Sequence, residues 1–549
     1  MAKKVFYDDD ARRRVLGGAK ALYDAVKVTM GPKGRNVVIG KSYGSQTVTH
    51  DGVTVARAIE LPAEDDETLG YNVGVELIKQ AASKMNDVAG DGTTTVTVLT
   101  YNILNEANRL IAAGHNPMEL RKGVEAAGAE VLSALAKLAE DIGSKKNRVA
   151  EVATIAAGDK EIGELIAGVI DQIDRDGVVT VEEGQSLKME AEVVEGFTTD
   201  RGFISAYMVT DSNRMEAVYE KPAIVITDKK IASIQEFLPM LEKLAQAGKK
   251  DLLLIAEDVE GEAMGTLILN KLKGVFNTVA IKAPAFGDRR KEVLQDIATL
   301  TGATVITEDQ GLTFENVELD VVGTARKVIV NKDQTTIIEG AGKAKAVEAR
   351  VAQIKAQALN ATSEYDKEQL DKRAAALGGK VAVIKVGGAS EVEIEEKKFR
   401  VDDAVAATKA ALAEGVVAGG GVTLVNLSKQ LKTDNTSSFA AGRGLVKQAL
   451  LAPFAQLMEN AGKNSAALLA KLLDAKDGQG FDVNDPADKL VDMKASGVVD
   501  PVRVTTQAIQ NAVSIAATAM TMGALVVEIP EKEAPMPAGG GMPGGMGMM

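Results

Sequence analysis

The chain reads as an α/β multidomain protein with a central alternation of strands and helices set between two mainly helical flanks. Three observations lead there. Apolar residues recur at helical spacing over 10–29 and 71–89, short apolar runs alternate with helical stretches between 223 and 307, and the helical pattern resumes after 401. A length of 549 residues, 46% of them hydrophobic, provides enough apolar material for several cores, about three or four domains at roughly 150 residues each.

In chain order, Val15, Ala19, Leu22 and Val26 mark one amphipathic helix, and Val75, Ile78, Ala82 and Met85 mark a second. Between them "RNVVIG" and "QTVTHDGVTVARAIEL" predict strands, with His50-Asp51-Gly52 as the turn between two of them. The segment 93–113 begins with the β-branched run "TTTVTV", but Val96, Leu99 and Ile103 favour a helix. In the middle, "AIVIT" (223–227), "LLLIA" (252–256), "TVAIKA" (278–283) and "TVIT" (304–307) alternate with helical stretches, the order of a parallel sheet with crossover helices. Gly196 and the pair Gly378-Gly379 stand near the borders of this region, where they serve as hinges or as ordinary turn glycines. After 401 the helical pattern is interrupted by "GVVAGGGVTL" (415–424) and by the loop-like "DGQGFDVNDPADK" (477–489). The ending "PMPAGGGMPGGMGMM" is low-complexity and is expected to be disordered. Its G-x-G-x-x-G match at Gly539, Gly541 and Gly544 has no strand before it and no helix after it, so it is no dinucleotide fingerprint.

Composition narrows the chemistry. Lys and Arg total 64 against 77 Asp and Glu, a formal charge of −13, which argues against a nucleic-acid surface and against binding to anionic membranes. With no cysteine, thiolate catalysis, disulfides and cysteine-ligated zinc are excluded. His50 and His115 are the only histidines, too few for a histidine metal cluster and poor material for a Ser-His-Asp triad. Carboxylates, hydroxyls and lysines must carry any reaction. The N-terminus lacks the apolar core of a secretory signal and no run approaches the roughly 18–20 apolar residues of a membrane span, so the chain is expected in the cytoplasm. Aromatics make up 3% and tryptophan is absent, which leaves few stacking platforms for single-stranded nucleic acid.

No G-x-x-x-x-G-K-[ST] motif occurs, so a P-loop is excluded by its own signature. Four fragments nevertheless suit a nucleotide: "VTMGPKGRN" (28–36), "THDGVT" (49–54), "AGDGTTT" (89–95) and "RVDDAVAATKAALAEGVVAGGG" (400–421). Each offers glycine for close backbone approach or aspartate for a metal, and each taken alone is a weak signal. Asp403 reads equally well as a helix-start cap, and Asp500, before Pro501, as the beginning of a turn or helix.

Together with "TMGPKGRNVVI", "DGVTVARAIEL", "NDVAGDGTTT", "DRGFISAYM", "IAEDVEGEA", "APAFGDRRK", "LQDIATLTG", "EGVVAGGG" and the Gly-Met tail, these fragments make the chain resemble the group I chaperonins, the bacterial sixty-kilodalton heat-shock or GroEL type, over nearly its whole length. The resemblance implies a mostly helical equatorial domain (1–138 and 414–530), a small intermediate domain (139–195 and 380–413), an α/β apical domain (196–379), and a tail at 531–549. It implies back-to-back seven-membered rings, a co-chaperonin lid, non-native polypeptides as ligands, and ATP hydrolysis with Mg2+ and K+. Carried over residue by residue, Asp91 coordinates Mg2+, with Gly90 and Gly92 giving close approach and Thr93, Thr94 and Thr95 giving hydroxyls and helix-start N–H groups to phosphate. Thr29, Met30, Gly31 and Pro32 lie along the nucleotide, His50 lies beside the monovalent-cation site, and Gly420, Asp482, Val483 and Asp500 contact base and ribose. Asp403 swings in from the intermediate domain to orient the attacking water, with Asp51 assisting. The polypeptide-binding positions are Phe203, Tyr207, Met208, Leu238, Leu241, Met264, Ile268 and Leu269, which by pattern alone are core residues; exposure separates the two readings.

The chain departs from the family pattern in places. His50 stands where relatives commonly have lysine, Phe203 replaces the usual tyrosine, Met208 replaces the usual phenylalanine, and 61–74 is a few residues longer. Three functional classes follow: an ATP-driven folding chamber, an ATP-consuming enzyme with a small acceptor, and a non-hydrolysing scaffold. Intact Asp51, Asp91 and Asp403 disfavour the last.

Overall fold

The computed structural model describes residues 2–40, 46–62, 68–143, 145–173, 177–184, 186–212, 214–361, 363–433 and 437–529. The tail expected to be disordered, and the centre of the longer segment 61–74, lie outside these residues. The chain divides into two compact units, one of residues 1–163 with 402–549 and the other of Glu164–Val401. The segments expected to form an intermediate domain are shared between the two.

The first unit is helical. Helices Asp8–Val26, Tyr71–Ala89, Thr93–Ala112, Pro117–Ala136, Ser438–Ala449 and Val502–Ala519 enclose one core, in which Leu22, Ile78, Met85, Leu99, Ile103 and Leu120 are fully buried. The expected helical stripes supply all of these but Leu120, because apolar positions three and four apart fall on one face. The Pro117 helix begins where Asn116 accepts from the N–H groups of Met118 and Glu119, with proline at the first position, where it has no N–H to lose. Strand Lys3–Tyr7 pairs antiparallel with Ala524–Glu528, tying the beginning of the described chain to its end.

One expectation fails here. Val37–Ile39 and Thr47–Thr49 are the predicted strands and pair antiparallel, but Gly52–Ala58 is a helix. The alternating "VTV" suits either state. What decides it is Asp51, whose carboxylate accepts from Val53 N at 3.0 Å, Thr54 N at 2.9 Å and Thr54 Oγ1 at 2.6 Å, satisfying the free N–H groups of a helix start.

Among the described residues the second unit is built on a nine-stranded mixed sheet. Its path runs through Asn277–Lys282, Asp251–Ala256, Ala223–Ile226, Gly323–Val330, Thr335–Gly340, Glu190–Thr199, Lys380–Val386 and Val178–Glu183, with Ala217–Glu220 paired to Gly323–Val330. The first three strands are parallel, as the sequence predicts, and helices Ile234–Gln246 and Gly261–Leu272 make the crossovers. Residues 304–307 form no strand of this sheet; Ile306 makes only an isolated parallel bridge to Thr227.

Two neighbouring helices, Ala344–Leu359 and Glu364–Leu377, are fixed to helix Asp288–Thr301 by charge. Asp296, its side chain 1% exposed, accepts from Arg350 Nε at 2.7 Å and from Arg373 Nε at 2.6 Å, and Glu292 meets both guanidinium groups. A buried carboxylate is tolerable only when paired in this way. Replacing both arginines by alanine is expected to cost about 3–5 kcal/mol by stranding the Asp296 charge, whereas Asp296→Asn, which removes that charge, costs less; urea unfolding of the three proteins side by side checks the order.

Candidate functional site

All of the predicted nucleotide-site residues lie in the first unit, and the start of the Thr93 helix is where several of them meet. Helix Tyr71–Ala89 ends at Gly90 (φ +67°) and the next begins after Gly92 (φ +79°), left-handed conformations that cost glycine little and other residues more. Space demands glycine as well. A Cβ on Gly90 would stand 2.3 Å from Ala406 Cβ, and one on Gly92 would stand 2.7 Å from Val504 Cγ1. Asp91 sits between them, exposing its carboxylate to the helix start, where Gly92 N–H donates to Oδ1.

The Asp51 turn lies against the same helix start. A Cβ on Gly52 would fall 2.5 Å from Thr94 Oγ1 and 2.9 Å from Thr93 Oγ1. From the other side Thr29 donates to Val26 O at 2.9 Å, and its hydroxyl lies 3.0 Å from Thr94 Oγ1. Met30 is buried, Gly31 has φ +79°, and Pro32 is exposed. The half-buried His50 ring covers this turn, its Cε1 lying 2.7 Å from the Cβ position of Gly34.

Asp403 is carried to the site by helix Glu391–Glu414, one turn ahead of Ala406. It lies inside that helix, so the helix-start cap reading of this residue is wrong. Asp500 sits in strand Val499–Pro501, paired with Val417 beside the glycine turn that contains Gly420. Asp482 and Val483 follow strand Gln479–Phe481. Val483 packs on the apolar cluster of Val422, Phe454 and Met493 that supports that turn, and Asp482 accepts from Asn484 N at 2.9 Å within its own turn. Thr95 is half-buried on the first turn of its helix.

Burial and the neighbouring acids raise three of these carboxyls. Burial, with the Asp51 charge added and the Gly92 N–H opposing, pushes the Asp91 carboxyl up to about 6. Burial and then the Asp91 charge raise Asp500 to about 7. Burial, followed by Asp51, Asp91 and Asp402, holds Asp403 well above the usual carboxylate range. Such a cluster favours whatever brings positive charge to it. Among the described residues no three Asp, Glu or His side chains are placed to hold a metal ion unaided. Mg2+ typically takes one or two carboxylates and draws its remaining oxygens from phosphate and water, and Asp91 beside an N–H-rich helix start fits that pattern.

A different surface appears in the second unit. Tyr207 (69% exposed), Leu238 and Leu269 are open to solvent, as a binding face requires, and Phe203, Met264 and Ile268 are half-buried. Met208 and Leu241 are corrections: both are buried in the core, Met208 with its Sδ accepting from Ala280 N, so neither belongs to the exposed face. Leu272 and Val275, unremarked in the sequence, extend the apolar surface at the end of helix Gly261–Leu272. The signal for them was the run "LILNKLKGVF", more apolar than one buried stripe needs. Lys271 Nζ donates to the Tyr207 carbonyl at 3.4 Å and to that of Val209, tying this helix to the Tyr207 turn. The candidate hinge glycines also meet, Gly196 N donating to Gly379 O at 3.2 Å next to Gly378.

The model of the TCP-1/cpn60 chaperonin family matches residues 22–530, and the chain belongs to that family. It is therefore a molecular chaperone of protein folding, a multidomain α/β chain of the kind that binds non-native proteins and assembles into rings.

The raised carboxyls predict a pH dependence. A carboxyl with a higher pKa folded than unfolded contributes stability that is complete below the unfolded value, near 4, and lost as pH rises through the folded value. For Asp91 and Asp500 that loss falls between about pH 4 and pH 7–8. Asp91→Asn and Asp500→Asn are expected to melt higher than the parent at pH 8 without nucleotide, with the gap closing by pH 5; thermal scans across this range read it directly.

Proposed function

We propose that this chaperone is a bacterial, cytoplasmic chaperonin of the group I, GroEL type: two seven-membered rings of an ATPase that captures non-native polypeptides, encloses them beneath a small co-chaperonin lid and promotes their refolding. The observation that carries the reading is the convergence of Asp51, Asp91 and Asp403 at the glycine-bounded start of the Thr93 helix. In this reading the N–H groups and threonine hydroxyls of that start bind phosphate oxygens, and Thr29 to Pro32 line the nucleotide. Gly420, Asp482, Val483 and Asp500 face base and ribose. Mg2+ held through Asp91 would neutralise charge on the phosphates, and K+ would sit by the carbonyls near His50.

Asp403 then orients the attacking water and accepts its proton as the new O–P bond forms, ADP leaving with the electron pair of the broken bond. Burial first, and then the neighbouring acids, make Asp403 more basic than a free carboxylate, which suits a proton acceptor once bound cations offset those charges. Asp51 is already engaged by three donors of its own helix. It supports the reaction by fixing the Gly52 backbone on Thr94 and by its charge.

The exposed face of Tyr207, Leu238 and Leu269 supports capture of unfolded chains. Covering roughly 400 Å2 of apolar client surface is worth about 10 kcal/mol gross, less ordering costs. Release from so sticky a surface is slow unless the face is taken away, which gives ATP hydrolysis its purpose.

Asp403→Ala is expected to lower Mg2+- and K+-supported ATP turnover by about a hundredfold or more while nucleotide still binds; phosphate release and equilibrium binding measured on both proteins check this. Leu238→Ser with Leu269→Ser is expected to leave ATPase intact and abolish suppression of aggregation of a chemically denatured client. A wild type that neither hydrolyses ATP nor protects the client would leave a ring scaffold as the remaining reading.

A further inference from the structure

One short helix, Ala452–Asn460, touches two of the loops from which the proposed nucleotide site is built. At its beginning, Phe454 N and Cα lie 3.0 and 3.1 Å from the Cβ position of Gly421, so backbone meets backbone beside Gly420. One turn later Leu457 Cδ2 lies 2.2 Å from the Cβ position of Gly31. At its last residue the Asn460 carboxamide donates both of its N–H bonds, to Lys27 O at 2.9 Å and to Met30 O at 3.0 Å. These are the carbonyls that bracket the turn Lys27–Thr29, which Met30 N closes by donating to Lys27 O at 3.2 Å.

The direction of the Asn460 amide is itself set. Buried Gln456, one turn earlier, donates from Nε2 to Asn460 Oδ1 at 2.8 Å. Were the Asn460 amide reversed, its NH2 would face the Gln456 NH2 and its oxygen would face two carbonyls. The orientation observed is the one in which every group has a complementary partner. In a trans peptide C=O and N–H point in opposite directions. Holding the Met30 carbonyl toward the helix therefore aims the Gly31 N–H away from it.

We propose that Asn460, oriented by Gln456, is a positioning residue for the nucleotide: it fixes the Lys27–Gly31 backbone so that the Gly31 N–H is available to an anionic phosphate oxygen, and the helix that carries it sets this loop at a fixed spacing from the Gly419–Gly421 turn. The inference rests on the nucleotide reading given above. Asn460 touches no reacting atom, so its loss acts on binding. Interactions made equally with bound substrate and transition state change KM and leave kcat near its original value.

The test compares the full-length wild type, Asn460→Ala, and Gln456→Glu, which keeps the shape but removes the N–H that orients Asn460. Amide hydrogen exchange over 27–36 is measured without nucleotide, MgADP binding by calorimetry, and ATPase as separate kcat and KM. The expected result for Asn460→Ala is faster exchange confined to 27–36, about tenfold weaker MgADP binding and a matching rise in KM, with kcat within about twofold. Gln456→Glu is expected to show the same pattern more weakly, and it carries the test if Asn460→Ala does not fold. Unchanged exchange with unchanged MgADP affinity overturns the proposal, as does faster exchange spread evenly over the whole chain. If the wild type binds no MgADP while Asn460→Ala still loosens 27–36, the nucleotide reading is what has failed, and Asn460 is reduced to a structural clasp.

Discussion

The candidate site depends on backbone meeting backbone at the start of the Thr93 helix. Gly52, Gly90 and Gly92 each leave a place where a Cβ would lie within 3 Å of a neighbour. Only that absence of side chains lets the Asp51 turn, the Asp403 helix and the Val502 helix share one helix end. The start of a helix carries unpaired N–H groups and a partial positive charge. Three chain segments deliver carboxylates to it from positions as far apart as 51, 91 and 403. The cost of this convergence is burial of the acids and, after it, their mutual repulsion, which together raise Asp91, Asp403 and Asp500. A site that is uncomfortable alone is relieved by cationic charge, which is the ground of the nucleotide and metal reading proposed above.

The second unit solves an opposite problem. Its sheet and the Asp296 clamp build a stiff body with a fully buried interior, on which Tyr207, Leu238 and Leu269 remain exposed. Apolar side chains held open to water are ordinarily a liability. Here they stand on two crossover helices and a short turn fixed by Lys271, so their exposure belongs to a well-packed scaffold and is no sign of a loose one. The proposed capture of non-native chains rests on this face.

Much of this was legible in the sequence. The helices at 8–26, 71–89 and 93–112 follow from apolar spacing, and the three parallel strands follow from short β-rich runs separated by helical ones. Asp91 between two glycines already marked one of the acids that the fold brings together. Where reading failed, a competing local interaction was responsible. "GVTVARA" alternates like a strand, but capping by Asp51 tipped it into a helix. "TVIT" has strand composition, yet only one of its residues finds a bridge partner on the sheet. Met208 and Leu241 suit a surface patch or a core equally well, and the packing of their neighbours placed them inside.

The sequence by itself determined most of the local states, the acidic chemistry and, through motifs spread over most of its length, the family, because helix period, glycine and charge act over a few residues and survive in one dimension. Only the tertiary structure decided which aspartates share a field, that Asp403 lies within a helix and is no cap, and which apolar side chains face water. Most of those outcomes depend on contacts between residues tens to hundreds of positions apart. Burial and Coulomb repulsion act through distance in space, and a spacing along the chain does not encode that distance.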